Sequence, residues 1–186
     1  MYILETFKYF SLISLPLFLI IALFLIKKVP EFSFKKHTIS KTALFLNNPF
    51  QLLIFRFNFI LKSLLDLGFT WYLIDRFKFK ATSPLFWLLI ICPVIFSLLA
   101  CYLVGKHTFA HRIIIYGYGV LWSIVQILLA QITSSSLFIE ITYILSVSAL
   151  IIAFGFLFAK KTNVIIQAVC ISLLYGWLIL FVFRYL

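Results

Sequence analysis

Three polar residues spaced four apart, Asn58, Lys62 and Asp66, interrupt the second apolar block of the sequence. Residues four apart lie along one face of an α-helix, and Arg56 and Ser63 fall beside the same stripe. Ionisable side chains at membrane depth are costly unless they are paired or hydrated. This face should therefore point into a helix bundle or a cavity. The candidate ligand-binding residues are Arg56, Asn58, Lys62 and Asp66.

The polar stripe has three interpretations. In a structural one, Lys62 and Asp66 form an intrahelical pair while Arg56 reaches the lipid headgroups near the start of the helix. In a functional one, the stripe lines a pocket between helices that binds an anionic or zwitterionic group, such as a lipid headgroup. The third is a proton or ion relay, because Lys62 and Asp66 are the only acid–base pair within a span.

The three histidines lie in segments rich in Lys and Arg. His107 and His111 are four apart, a spacing that can present two imidazoles to one metal ion if the segment is helical. No nearby acid balances the surrounding positive charge, which disfavours a divalent cation and favours phosphate. We therefore expect no metal site. We predict instead a basic surface that faces lipid headgroups, formed by Lys35, Lys36, His37, Lys106, His107, His111 and Arg112.

Other polar residues within the apolar blocks favour helix packing over ligand binding. We expect them to form interhelical hydrogen bonds; they are Gln126, Ser146, Ser148, Gln167 and Ser172. Common catalytic motifs such as GxSxG, HExxH, the P-loop and paired CxxC are missing. The only aspartates are Asp66 and Asp75, too few for the acidic clusters of metal-dependent transferases. The sequence therefore favours a non-enzymatic role without a cofactor.

The composition indicates which elements position these residues. Hydrophobic residues make up 65% of the 186 residues and charged residues 11%, with a mean hydropathy of +1.17. A soluble domain of this length needs a polar shell that so few polar residues cannot supply. The formal net charge of +11 does not indicate nucleic-acid binding, because the basic residues sit mainly at the ends of apolar blocks. We expect an integral membrane protein.

The apolar blocks predict an all-α fold, a single polytopic transmembrane bundle over residues 1–186 with about six spans. Each block is close to the 20 residues that a membrane-spanning helix needs. The long first connection, 27–48, should lie at the membrane interface, and the other connections are short enough to make consecutive helices antiparallel neighbours. The predicted spans are 9–26, 49–74, 84–104, 113–132, 137–159 and 164–183.

The distribution of Lys and Arg outside the spans predicts the orientation. More of them fall on the side of the first connection than on the opposite side. Because basic loops are retained in the cytoplasm, this excess places the first connection inside and both termini outside the cell membrane.

The layout resembles uncharacterised six-span membrane families, including the DRAM/FRAG-like group. The similarity lies in the long loop carrying His37 to Ser40, a second span that opens with Phe50 to Phe57, and the charged turn from Lys106 to Arg112. The resemblance implies a lipid-associated or regulatory membrane protein and supplies no catalytic residues. It also implies an external first loop, which conflicts with the orientation predicted from the basic residues.

The function predicted from the sequence is binding of a lipid, another small ligand or a membrane partner through the polar face of the second span. A small transporter, or a membrane subunit of one, is an alternative, although no inverted repeat is visible. A structural subunit of a membrane complex is the other. The expected partners are membrane lipids and a membrane protein or a second copy of the chain, with no nucleic acid.

Overall fold

The chain is all-helical in the residues that its computed structural model describes, which are 2–105, 107–159 and 161–186. Two short 3-10 helices, Ile39–Leu44 and Leu98–Ala100, supplement the α-helices. The α-helices of the described residues are α1 (Tyr2–Phe7), α2 (Phe10–Ile26), α3 (Pro49–Phe77), α4 (Pro84–Ser97), α5 (Thr108–Ile132), α6 (Ser136–Phe158) and α7 (Val164–Tyr185).

The helices divide between two compact units. Unit 1 comprises Met1–Phe32 and Ser40–Tyr118, and unit 2 comprises Ser33–Ile39 and Gly119–Leu186. The boundary falls within α5, and a short piece of the first connection belongs to unit 2. Each unit thus has its own set of packed helices, and the polar stripe of α3 lies in unit 1.

The helix bounds follow the predicted spans to within three residues except at two places. The third predicted span was expected to reach residue 104, but α4 ends at Ser97 and one 3-10 turn follows it. The fourth was expected to begin at residue 113, but α5 begins at Thr108. There the Thr108 hydroxyl oxygen accepts the Gly105 N–H at 3.0 Å, and Gly105 has φ +112°. This turn closes the connection early and brings His111 and Arg112 into the first turns of α5.

Among the described residues, three helices are long and apolar enough to cross a membrane, namely α5, α6 and α7. Two shorter apolar segments, Phe10–Ile26 and Pro84–Ala100, accompany them. Helix α3 is the longest, with 29 residues, or about 44 Å at the α-helical rise. It is not among the three because polar and charged residues lower its hydropathy.

Aromatic rings from three helices form the core of unit 1. The ring of Phe18 in α2 lies edge-on to Phe59 of α3 and to Phe96 of α4, with centroids 5.2 and 5.8 Å apart. Phe59 and Phe96 are 5.6 Å apart. Pairs at these separations attract beyond the burial of their area. Because each ring comes from a different helix, the cluster fixes α2, α3 and α4 together and sets which face of α3 is buried.

Buried polar side chains join the three helices of unit 2. Gln126 of α5 donates through Nε2 to the Leu174 carbonyl of α7 at 3.0 Å and accepts from the Ser146 hydroxyl of α6 at 3.0 Å. Trp177 Nε1 donates to Thr142 Oγ1 at 2.7 Å. The interhelical role predicted for Gln126 and Ser146 is confirmed.

Candidate functional site

The polar stripe of α3 faces the interior of unit 1, so the burial predicted from its spacing is confirmed. Asn58 is fully buried, Lys62 is 7% exposed and Ser63 is 2% exposed. The Asp66 side chain is 13% exposed. The opposite face of α3 carries exposed apolar side chains, so its polar and apolar faces are reversed relative to a helix in water.

Lys62 and Asp66 form an ion pair along one turn of α3. This is the intrahelical pair of the structural interpretation. Hydroxyl groups from two other helices extend it: Ser14 of α2 donates to Asp66 Oδ1 at 2.5 Å, and Lys62 Nζ donates to the Tyr118 hydroxyl of α5 at 3.5 Å. The ammonium also lies 4.5 Å from the centroid of the Phe96 ring. The two charges therefore compensate each other within unit 1 and tie α2, α3, α4 and α5 at one level.

Asn58 lies one turn before Lys62 and is only half paired. Its Nδ2 donates to the Phe18 carbonyl of α2 at 2.9 Å. Its Oδ1 accepts no hydrogen bond from the described residues. A buried amide oxygen without a donor is costly and calls for a physical explanation. One polar acceptor of the stripe is thus buried without a donor among the described residues.

Arg56 does not join the other three candidate residues. It lies on the exposed face of α3, two positions before Asn58 and off the buried stripe. The buried part of the candidate ligand site is therefore Asn58, Lys62 and Asp66. Their role in binding a ligand stays a prediction.

The residues of the predicted basic surface belong to different units and differ in burial. In unit 1, His107 and Arg112 are exposed, but His111 is 4% exposed and its Nδ1 lies 2.8 Å from the Tyr102 carbonyl, to which it donates. Contrary to expectation, His111 is thus a buried side chain and does not face headgroups. The early start of α5 explains this, because it turns His111 inward one helical turn after residue 107. Lys106 lies outside the described residues.

In unit 2, Lys35 and Lys36 are exposed, and His37 is partly buried. His37 Nδ1 accepts the Ser33 N–H at 3.1 Å, which closes a small turn in the first connection. Gln167 Oε1 accepts the Ile39 N–H at 3.0 Å. This hydrogen bond joins α7 to the first connection, whereas we expected Gln167 to bond to a neighbouring membrane helix.

Sequence reasoning did not identify the partners that neighbouring helices supply to the α3 stripe. Ser14, Tyr118 and Phe96 surround the ion pair, and none of them was a candidate. A signal for Ser14 exists in the sequence, since Ser11 and Ser14 place two hydroxyls on one side of an otherwise apolar helix. Tyr118 carries no comparable signal, because an isolated tyrosine in an apolar helix is common.

The residues around the α3 stripe keep an ion pair, Lys62 with Asp66, in an apolar surrounding. Comparison with known proteins adds nothing to this geometry: no protein-family model, curated protein or solved structure matches the chain. The chemistry must therefore be argued from the residues themselves.

Proposed function

We propose that the chain is an integral protein of the cell membrane that crosses the bilayer about six times, through α2 to α7. The apolar length of α5, α6 and α7 supports this. So does the exposed face of α3, where the side chains of Leu53, Ile60 and Leu64 are 60%, 40% and 57% exposed. A row of exposed apolar side chains opposite a buried polar stripe suits a helix surrounded by lipid.

The proposed function is binding of a small polar ligand, or of the polar headgroup of a lipid, at the α3 stripe. The observation that carries this proposal is the unpaired Asn58 Oδ1, one turn from a buried ion pair. Ionisable residues at membrane depth are retained chiefly for function. A ligand that donates a hydrogen bond to Asn58 Oδ1 would satisfy that oxygen, and Lys62 would attract an anionic group on the same ligand.

The test is mass spectrometry of the protein gently extracted from its native membrane, with variants on both faces of α3. We expect the wild type to retain a lipid or small molecule at near-stoichiometric level. Asn58→Leu and Lys62→Met should lose it, because each removes one of the two polar contacts. Arg56→Gln is the matched control, since it changes a charge on the same helix outside the stripe, and it should retain the ligand.

Equal ligand content in all four proteins would refute the ligand-binding proposal. A protein that co-purifies in a fixed ratio, in place of a small molecule, would favour the second candidate function, a structural subunit. The compensation of both charges within unit 1 favours that candidate, because a closed pair needs no ligand. In that case the stripe serves packing, and the partner is bound elsewhere.

A further inference from the structure

Part of the first connection is hydrogen-bonded to the start of α7 within unit 2. The His37 carbonyl accepts the Val164 N–H at 2.8 Å. Asn163 Nδ2 donates to the Lys35 carbonyl at 3.1 Å. Two segments separated by more than a hundred residues in sequence therefore run side by side.

Asn163 connects these two segments and also caps α7. Its Oδ1 accepts the Ile166 N–H at 3.0 Å, which satisfies one of the free N–H groups at the helix start. The Val164 N–H is satisfied by the first connection. Protein groups thus already satisfy these two N–H groups at the start of α7, so a ligand at this junction would have to bind to the side chains around it.

The junction brings three exposed lysines into one cluster. Lys35 and Lys36 lie on the connection, and Lys161 precedes Asn163 by two residues. The only acidic residue in the sequence of unit 2 is Glu140. It lies in the first turns of α6, about 27 Å of helix before Phe158. No carboxylate side chain of unit 2 therefore lies near the cluster, and Glu31 of unit 1, four residues before Lys35 in the sequence, would leave an excess of two positive charges.

Exposed aromatic rings flank the lysines. Phe34 directly precedes Lys35 and is 45% exposed, and Phe158 ends α6 three residues before Lys161 and is 80% exposed. Both α6 and α7 are of membrane-spanning length, and the cluster lies where one ends and the other begins. Lysines beside aromatic rings at the ends of such helices are typical of the level of lipid headgroups.

We propose that Lys35, Lys36 and Lys161 form a binding surface for anionic phospholipids. The ammonium groups bind the headgroup phosphate, and the rings of Phe34 and Phe158 contact the upper part of the acyl chains. This surface belongs to unit 2 and is independent of the α3 stripe in unit 1, so either proposal can fail without the other.

The experiment is native mass spectrometry of the full chain in a non-ionic detergent with equimolar phosphatidylglycerol and phosphatidylcholine. The wild type should retain phosphatidylglycerol in preference to phosphatidylcholine. Replacing the three lysines together by Gln should reduce this preference about tenfold or more, because each basic residue contributes separately to the attraction. Replacing all three by Arg should preserve it, since the charge is kept.

A control variant separates the cluster from the net charge of the protein. Replacing Lys27, Lys28 and Lys80 by Gln removes the same charge from exposed positions of unit 1 and should reduce the preference by a clearly smaller factor. Equal loss in both triple variants would overturn the proposal. So would an unchanged preference in the cluster variant, or release of the bound lipid by excess inorganic phosphate, which would indicate a site for the free ion. Circular dichroism of each variant verifies that the helices are intact.

Discussion

Neutralising one member of the buried ion pair should destabilise unit 1 more than neutralising both. The pair joins Lys62 and Asp66, whose side chains are 8% and 13% exposed. Removing one partner leaves the other charge in an apolar surrounding. Removing both leaves two uncharged side chains of similar size, which the same space can accommodate.

The surroundings of each charge determine which single change costs more. Lys62→Met leaves the Asp66 carboxylate with the Ser14 hydroxyl at 2.5 Å. Asp66→Asn leaves the Lys62 ammonium with the Tyr118 hydroxyl at 3.5 Å and an aromatic ring at 4.5 Å, which is weaker compensation. We therefore expect losses in the free energy of unfolding of about 3 kcal/mol for Lys62→Met and about 4–5 kcal/mol for Asp66→Asn. The double variant should lose only about 1–2 kcal/mol, because it removes the hydrogen bond to Tyr118 and weakens the one from Ser14.

The assay is unfolding of the detergent-solubilised protein by titration with sodium dodecyl sulfate, followed by circular dichroism. The four proteins form a double-mutant cycle that isolates the interaction of the two side chains. A second pair near the end of α3 is the matched control. There Lys78 and Asp75 lie 2.8 Å apart, but with side chains 77% and 52% exposed. The same changes at that pair should each cost less than about 1 kcal/mol.

Two results would refute this reasoning. Single changes at the buried pair that cost no more than those at the exposed pair would mean that water or a counter-ion reaches α3 at this depth. A double variant as unstable as the sum of the single ones would mean that the two charges do not compensate each other.

Three further predictions concern packing and capping, and the same unfolding titration tests the first two. Gly68→Ala should destabilise the protein by about 1 kcal/mol because the new Cβ would lie 2.6 Å from the Phe10 ring. Measured against the Phe10→Ala variant, the same change should instead stabilise, because alanine favours the helix. Gln126→Leu should cost about 2 kcal/mol by leaving its partners in α6 and α7 unpaired, while Gln131→Leu, at an exposed position of the same helix, should cost nothing measurable. Asn163→Asp keeps an oxygen to cap α7 but loses the Nδ2 donor to the first connection, so amide hydrogen exchange in that connection should become faster while exchange in α7 is unchanged.

The sequence predicts the stripe of α3 well because its rule is local. Residues four apart share a helix face whatever surrounds the helix, so the burial of Asn58, Lys62 and Asp66 follows from spacing and from the cost of exposing charge to lipid. Their partners do not follow. Which hydroxyl meets Asp66 depends on how α2 rotates against α3, and the packing of Phe18 and Phe59 determines that rotation.

For the basic residues, the sequence did not predict the helix bounds accurately enough to tell which side chains are exposed. The sequence placed His111 in a polar turn before the fourth span, where it would be exposed. The Thr108 turn begins α5 earlier and turns His111 inward to the Tyr102 carbonyl. A shift of a few residues at a helix start is within the ordinary ambiguity of start signals, yet it reverses the exposure of a side chain. The junction of Lys35 with Asn163 was beyond sequence reasoning because the groups that the first connection offers to α7 are the backbone carbonyls of Lys35 and His37, and every residue has such a group.

Helix α3 tests the central claim most directly, since the proposal makes it a membrane span whose outer face contacts lipid. The measurement is electron paramagnetic resonance of spin labels placed singly at Leu53, Ile60 and Leu64 in a variant without cysteines, reconstituted in bilayers. We predict frequent collisions with oxygen and few with a water-soluble nickel complex at all three positions. Frequent collisions with the nickel complex at these positions would place the face in water and contradict the account.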